Sequence, residues 1–115
     1  MRVYVAGPVS GRSAANRPAF DALAARVRAA GYDPVVPHDY VAPGWPRGRV
    51  MRVLFRIVTE CDGIAVLPDW RDSSGAWDEV AVARQCGLVD VFGEAWPGEE
   101  GLVAACAALP DPCPP

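Results

Sequence analysis

The chain has 115 residues, which suits one domain and leaves no room for two of the usual size. Apolar residues make up 51% of it, enough for a core, yet no stretch approaches the ~20 apolar residues of a membrane span. A formal net charge of −3 and a pI near 5.0 argue against a nucleic-acid polymer as partner, because the phosphate backbone is met by a basic face; a small anion held by local donors is compatible with them.

Arg2–Ala6 is a compact apolar run closed by Gly7-Pro8, the pattern of a strand buried on both faces and too quickly broken for a signal peptide. A loop rich in Gly and Ser follows. Asn16-Arg17-Pro18 then opens a helix, with Asn16 as N-cap and Pro18 in the first turn. Phe20, Leu23, Ala24 and Val27 lie on one face of that helix, and Gly31 closes it. Residues 32–36 read as a second strand, weakened by Pro34, and a loop with Pro37, Pro43, Gly44, Pro46 and Gly48 follows. The next helix is amphipathic, with Val50, Leu54, Ile57, Val58 and Cys61 on one face and Arg49, Arg52 and Arg56 on the other. Asp62-Gly63 ends it.

Residues 64–67 make the strongest strand in the chain. Residues 68–74 are polar and turn-like. A helix of small residues, including Ala76, Ala81 and Ala83, covers 75–86 and stops at Gly87. Residues 88–92 read as a fourth strand, 99–108 as a last short helix, and 110–115 as a Pro-rich tail. The alternation of strand and helix predicts a single α/β domain over 1–109. Its sheet is a doubly wound, flavodoxin- or Rossmann-like parallel one of four or five strands, order 2-1-3-4(-5), with helices on both faces. The four cysteines, Cys61, Cys86, Cys106 and Cys113, form no CxxC pair and lie far in sequence from the single histidine, His38. Free thiols in a reducing cytoplasm, without a zinc site, are the expectation.

In such sheets ligands collect at the C-terminal strand ends, where strand order reverses, and two loops there carry unusual chemistry. In Gly7-Pro8-Val9-Ser10-Gly11-Arg12-Ser13, glycines can turn N–H groups toward an anion, the serines can donate hydroxyls, and Arg12 can grip a phosphate in two parallel bonds. It is neither a GxGxxG nor a Walker A sequence, and a flexible connector would look the same. In Asp69-Trp70-Arg71-Asp72-Ser73-Ser74-Gly75-Ala76-Trp77-Asp78-Glu79, Gly75 permits close approach of a ligand at the helix start. Glu79, about one turn inside, can attack an electrophilic carbon, as retaining glycosidases do at a sugar. The competing explanation is local: an acid in the first turn suits the helix dipole, and Ser73 or Ser74 makes an ordinary N-cap.

Further residues carry two readings each. The Arg49, Arg52 and Arg56 stripe is a solvated helix face or a phosphate contact reaching a neighbouring subunit. Trp45, Trp70 and Trp77 either stack on a base or pack in the core or an interface. Tyr4 points its hydroxyl into the site or is simply a strand residue. His38 reads most simply as a loop residue.

Three segments together resemble the nucleoside 2-deoxyribosyltransferase-like superfamily, in its small bacterial and phage branch, related to nucleoside monophosphate N-glycosidases. They are Val3-Tyr4-Val5-Ala6-Gly7-Pro8 continuing through Ser10-Gly11 to Asn16-Arg17-Pro18 and Phe20; Cys61-Asp62-Gly63-Ile64-Ala65-Val66-Leu67-Pro68 with Trp70; and Ser73-Ser74-Gly75-Ala76-Trp77-Asp78-Glu79 with Ala83 and Gly87-Leu88. The resemblance spans 1–92 and rests on the order and spacing of the segments. It implies chemistry at an N-glycosidic bond, with Glu79 as nucleophile at C1′ and Tyr4 positioning its carboxylate. Ser73, where nucleoside transferases carry Asp, with Ser10, Gly11 and Arg12, implies a 5′-monophosphate substrate. Gly7, Asn16 and Gly75 complete the implied binding loops. No metal or organic cofactor is implied, and homo-oligomers are. One position departs from the pattern: relatives place an acid in the second helix where this chain has Leu54, leaving Asp69 or Asp72 as loop substitutes. That departure keeps open a non-catalytic nucleotide-binding or sensing module as the alternative.

Overall fold

A computed structural model describes residues 1–97 of the chain. Four strands, β1 (Arg2–Ala6), β2 (Asp33–Val35), β3 (Gly63–Val66) and β4 (Val89–Asp90), alternate with three helices, α1 (Arg17–Ala29), α2 (Arg47–Glu60) and α3 (Ser74–Gln85). All strand pairs are parallel and the order is β2-β1-β3-β4. The fold is the doubly wound α/β class expected from the alternation of elements.

Alternation along β1 explains the two layers. Val3 and Val5 join Phe20, Leu23 and Val27 of α1 on one face. Tyr4 and Ala6 join Leu54, Ile57 and Val58 of α2, and Ala76, Val80 and Ala83 of α3, on the other. Because both faces are covered, a central strand here has no polar side to show, and Val3 to Ala6 are all fully buried. Phe20 is also fully buried; its truncation to Ala in such a core costs about 3–5 kcal/mol.

The edges of the sheet depart from the sequence reading. β2 keeps only Asp33–Val35, and Pro34, which has no N–H to give, is tolerated because the strand pairs on one side alone. β4 is cut to two residues rather than extending over 88–92. The buried Asp90 carboxylate turns the chain back, accepting the N–H groups of Glu94, Ala95 and Trp96 at 2.9–3.2 Å. Val91 and Phe92 belong to that turn.

Asn16 sits at the N-cap position of α1, but in the left-handed region (φ 59°) and with no side-chain cap. Its Nδ2 donates instead to the Pro8 carbonyl at 2.8 Å, pinning the first loop. Ala30 is the C-cap of α1, and Gly31 follows it at φ +91°, the left-handed turn that glycine takes without strain. Cys61 is buried and Cys86 exposed, both as free thiols. Among the described residues no helix is long and apolar enough to cross a membrane. The expected helix over 99–108, the tail 110–115, Cys106 and Cys113 lie outside the described residues.

Candidate active site

With α1 on one face and α2 and α3 on the other, the connections leaving β1 and β3 diverge, and a crevice opens beyond the C-terminal ends of these strands. It holds a cavity of about 720 Å³, the size of a small-molecule site. Gly7, Ser10 and Arg12 come from the loop after β1, and Asp72, Ser73 and Gly75 from the loop after β3 and the start of α3. Val41, Trp45, Val50, Met51 and Leu54 form an apolar wall from α2 and the loop before it.

Glu79 also lines the cavity, although it is only 6% exposed. Ser73 is the N-cap of α3, its Oγ accepting from the Ala76 N–H at 3.2 Å. That start puts Glu79 in the second turn, on the buried face with Ala76, Val80 and Ala83, and leaves the first turn without an acid. The helix dipole, which acts within the first turn, therefore does not account for this carboxyl. Burial pushes Glu79 up from the ordinary 4.5 to about 7, against the Tyr4 hydroxyl, which favours the charged form, and with a smaller push from Asp78. Tyr4 is fully buried on the α2–α3 face of β1. Its own ionisation is driven well upward, first by burial and then by the facing Glu79. Tyr4 Oη and Glu79 Oε2 nevertheless both lack a completed hydrogen bond. Each such buried group costs about 1–3 kcal/mol, a cost that a ligand atom between them would relieve.

The two glycines nearest the site serve different ends. A Cβ on Gly75 would lie 3.8 Å from Ser73 Oγ, 3.9 Å from Met51 Sδ and 4.0 Å from Glu79 Oε1. The position thus overlooks the carboxylate and its emptiness keeps the approach clear. A Cβ on Gly7 would meet Leu67 Cδ1 at 2.5 Å, so packing between the ends of β1 and β3 already requires glycine there. Gly11 (φ +75°) shapes its turn and faces open space rather than the cavity.

Arg12 is committed. Its Nη1 pairs with Asp69 at 3.1 Å and its Nη2 with Asp72 at 3.5 Å, tying the two loops together across the mouth of the crevice. The guanidinium that the sequence reading offers to a phosphate thus lines the cavity paired with two partly exposed acids. Asp69 does not line the cavity; it and Asp72 act as anchors for Arg12. Asn16 does not line the cavity either, and contributes through its hold on Pro8.

Arg47 and His38 are the residues the sequence reading underrated. Arg47 lines the cavity, donates to Ser74 Oγ at 3.2 Å and lies 3.8 Å from Asp78. Its position at the first turn of α2, after a long Pro- and Gly-containing loop, was the available signal. His38 lines the cavity and donates from Nε2 to the Ala15 carbonyl at 2.7 Å, with its ring edge-on to Phe20 at 4.7 Å and Nδ1 unpartnered. It braces a turn in which Ala14, Ala15 and Asn16 are all left-handed, at φ 53°, 52° and 59°. Such residues each cost about 1–2 kcal/mol and persist only where surrounding contacts fix them.

Of the tryptophans weighed from sequence, only Trp45 reaches this cavity, with the Arg49 guanidinium 3.7 Å over its ring. Trp70 and Trp77 pack on each other at 5.0 Å and, with Trp96, line a second cleft of about 590 Å³. Arg52 and Arg56 are exposed, as a solvated helix face requires. Among the described residues, no three His, Cys, Asp or Glu side chains gather as metal ligands. No curated protein matches the chain. The family model described as a domain of unknown function, DUF4406, matches residues 1–92, which include all four strands, both loops of the crevice and Glu79, and the chain belongs to that family.

Proposed function

We propose that the protein binds a nucleoside 5′-monophosphate and breaks, or transfers the sugar across, its N-glycosidic bond, with Glu79 as nucleophile. The observation that carries this reading is the buried Glu79 carboxyl, set beside the Tyr4 hydroxyl in the wall of a ligand-sized cavity and overlooked by Gly75. The likeness of the segments around both residues to the nucleoside 2-deoxyribosyltransferase-like superfamily supports the same reading.

In this mechanism an ionised Glu79 oxygen attacks C1′. The C1′–N bond breaks, the base leaves with the bonding pair and takes a proton from water, and a glycosyl ester remains on Glu79. Water, or a second base, then attacks C1′ and restores the carboxylate. Tyr4 Oη faces the carboxylate and favours its charged form, the form that attacks the sugar. Ser10, Ser74 and Arg47, with the backbone donors at the start of α3, suit the phosphate and sugar oxygens.

The test is incubation with a panel of ribo- and deoxyribonucleoside monophosphates, watching for free base by chromatography. Release by the wild type and its loss in Glu79→Ala are expected; release that survives the substitution refutes the nucleophile. A second reading, a nucleotide-binding or sensing module with little turnover, is favoured by Leu54, an apolar side chain in the cavity wall at the position where the nucleoside 2-deoxyribosyltransferase-like pattern implies an acid. Loss of a general acid typically costs ~10²–10⁴-fold in rate. Tight binding without base release by the wild type would decide for the module. Homo-oligomeric assembly and a cytoplasmic location belong to the proposal as well; a strict monomer in light scattering counts against the former.

A further inference from the structure

We infer that Trp45, braced by Arg49, is the platform on which the base of the ligand stacks, so that the site reads a base by its face and takes purine nucleotides ahead of pyrimidine ones. This rests on the nucleotide reading of the site and adds its base-recognition determinant. Of the wall contributed by α2 and the loop before it, Val41, Val50, Met51 and Leu54 offer no hydrogen-bonding group to a base edge, while Arg47 turns to Ser74 and Asp78 and His38 Nε2 to the Ala15 carbonyl. Trp45 is the one Trp, Tyr or Phe ring among the residues lining the cavity, and it is half-buried. The Arg49 guanidinium, from the first turn of α2, lies 3.7 Å over the Trp45 ring. A cation on one face of an indole fixes its plane and is held by the ring quadrupole. An aromatic platform beside apolar side chains recognises any flat heteroaromatic ring, and the larger area of a purine gives the stronger stack. The polar groups needed for the rest of a nucleotide come from other parts of the cavity: Ser10 from the loop after β1, Ser73 and Ser74 from the start of α3, and Glu79 from within it.

Tryptophan fluorescence reads this directly, because Trp70, Trp77 and Trp96 all line the other cleft and Trp45 alone lines this one. Full-length protein, wild type and Glu79→Gln, is titrated with AMP, GMP, CMP, UMP and ribose 5-phosphate, with calorimetry in parallel. Purine monophosphates are expected to quench and to bind more tightly than pyrimidine ones, and ribose 5-phosphate to bind without quenching. Trp45→Ala is expected to lose the quench and about tenfold in AMP affinity, while keeping its affinity for ribose 5-phosphate. Trp45→Phe recovers most of the AMP affinity, which a merely structural role for the indole would not predict. AMP binding of undiminished affinity by a folded Trp45→Ala overturns the platform and leaves the nucleotide reading standing. Failure of the wild type to bind either AMP or ribose 5-phosphate overturns both.

Discussion

Replacing Glu79 by Gln should make the protein more stable as well as inactive, and the size of the gain follows from burial. The folded carboxyl titrates near 7 instead of the ordinary 4.5, so the folded state favours its neutral form. Below about pH 4.5 both folded and unfolded chains carry the proton and the group is neutral in its effect. As pH rises from there to about 7, the unfolded chain ionises first, and stability is lost progressively; above about 7 both states are ionised and the loss is complete. Each pH unit of difference is worth about 1.36 kcal/mol, and the separation of the two values gives a loss of about 3 kcal/mol at pH 8. That is a large part of the ~5–15 kcal/mol that holds a typical domain together. Urea unfolding followed by fluorescence measures it. At pH 8, Glu79→Gln should exceed the wild type by about 3 kcal/mol, and the gap should shrink below about 1 kcal/mol near pH 4.5. A variant no more stable than wild type at pH 8, or a gap that does not change with pH, would refute the claim that the carboxyl is held in a desolvated wall.

The same titration sets the pH dependence of chemistry. The nucleophile must be ionised, so kcat/KM for base release should rise with pH and level off above about 7. Tyr4→Phe removes the hydroxyl that favours the charged form, and should move that rising limb to higher pH while lowering the plateau; an unmoved profile would deny Tyr4 its positioning role. Gly75→Ala meets only ordinary contacts of 3.8–4.0 Å and sits inside a helix, where Ala is favoured by up to about 1 kcal/mol. It should therefore leave thermal stability equal or higher while weakening AMP binding in calorimetry, and unchanged binding would show that ligands do not pass over this position.

Much of the scaffold was legible because its signals are local. The spacing of Phe20, Leu23, Ala24 and Val27 fixed the buried face of α1, and that of Leu54, Ile57 and Val58 did so for α2. The unbroken apolar run of Arg2–Ala6 announced a central strand. Local reasoning failed where a side chain found a better partner at a distance in space. Asn16 gave up capping for the Pro8 carbonyl, and Asp90 spent its carboxylate on three N–H groups and ended β4 early. Arg12, read as a phosphate grip, is paired with Asp69 and Asp72 of another loop, a contact its own segment does not announce.

Sequence alone determined the strand–helix alternation, the two-sided burial of β1 and hence the crevice at the strand ends, because periodicity in each segment dictates which face must leave water. Only the tertiary structure decided what the crevice contains. Tyr4 meets Glu79 because β1 lies beneath α3, Trp45 faces the cavity while Trp70 and Trp77 face another cleft, and Leu54 lies in the wall. These pairings join residues distant along the chain, and their geometry is set by how helices seat on the sheet, which no local pattern of residues encodes.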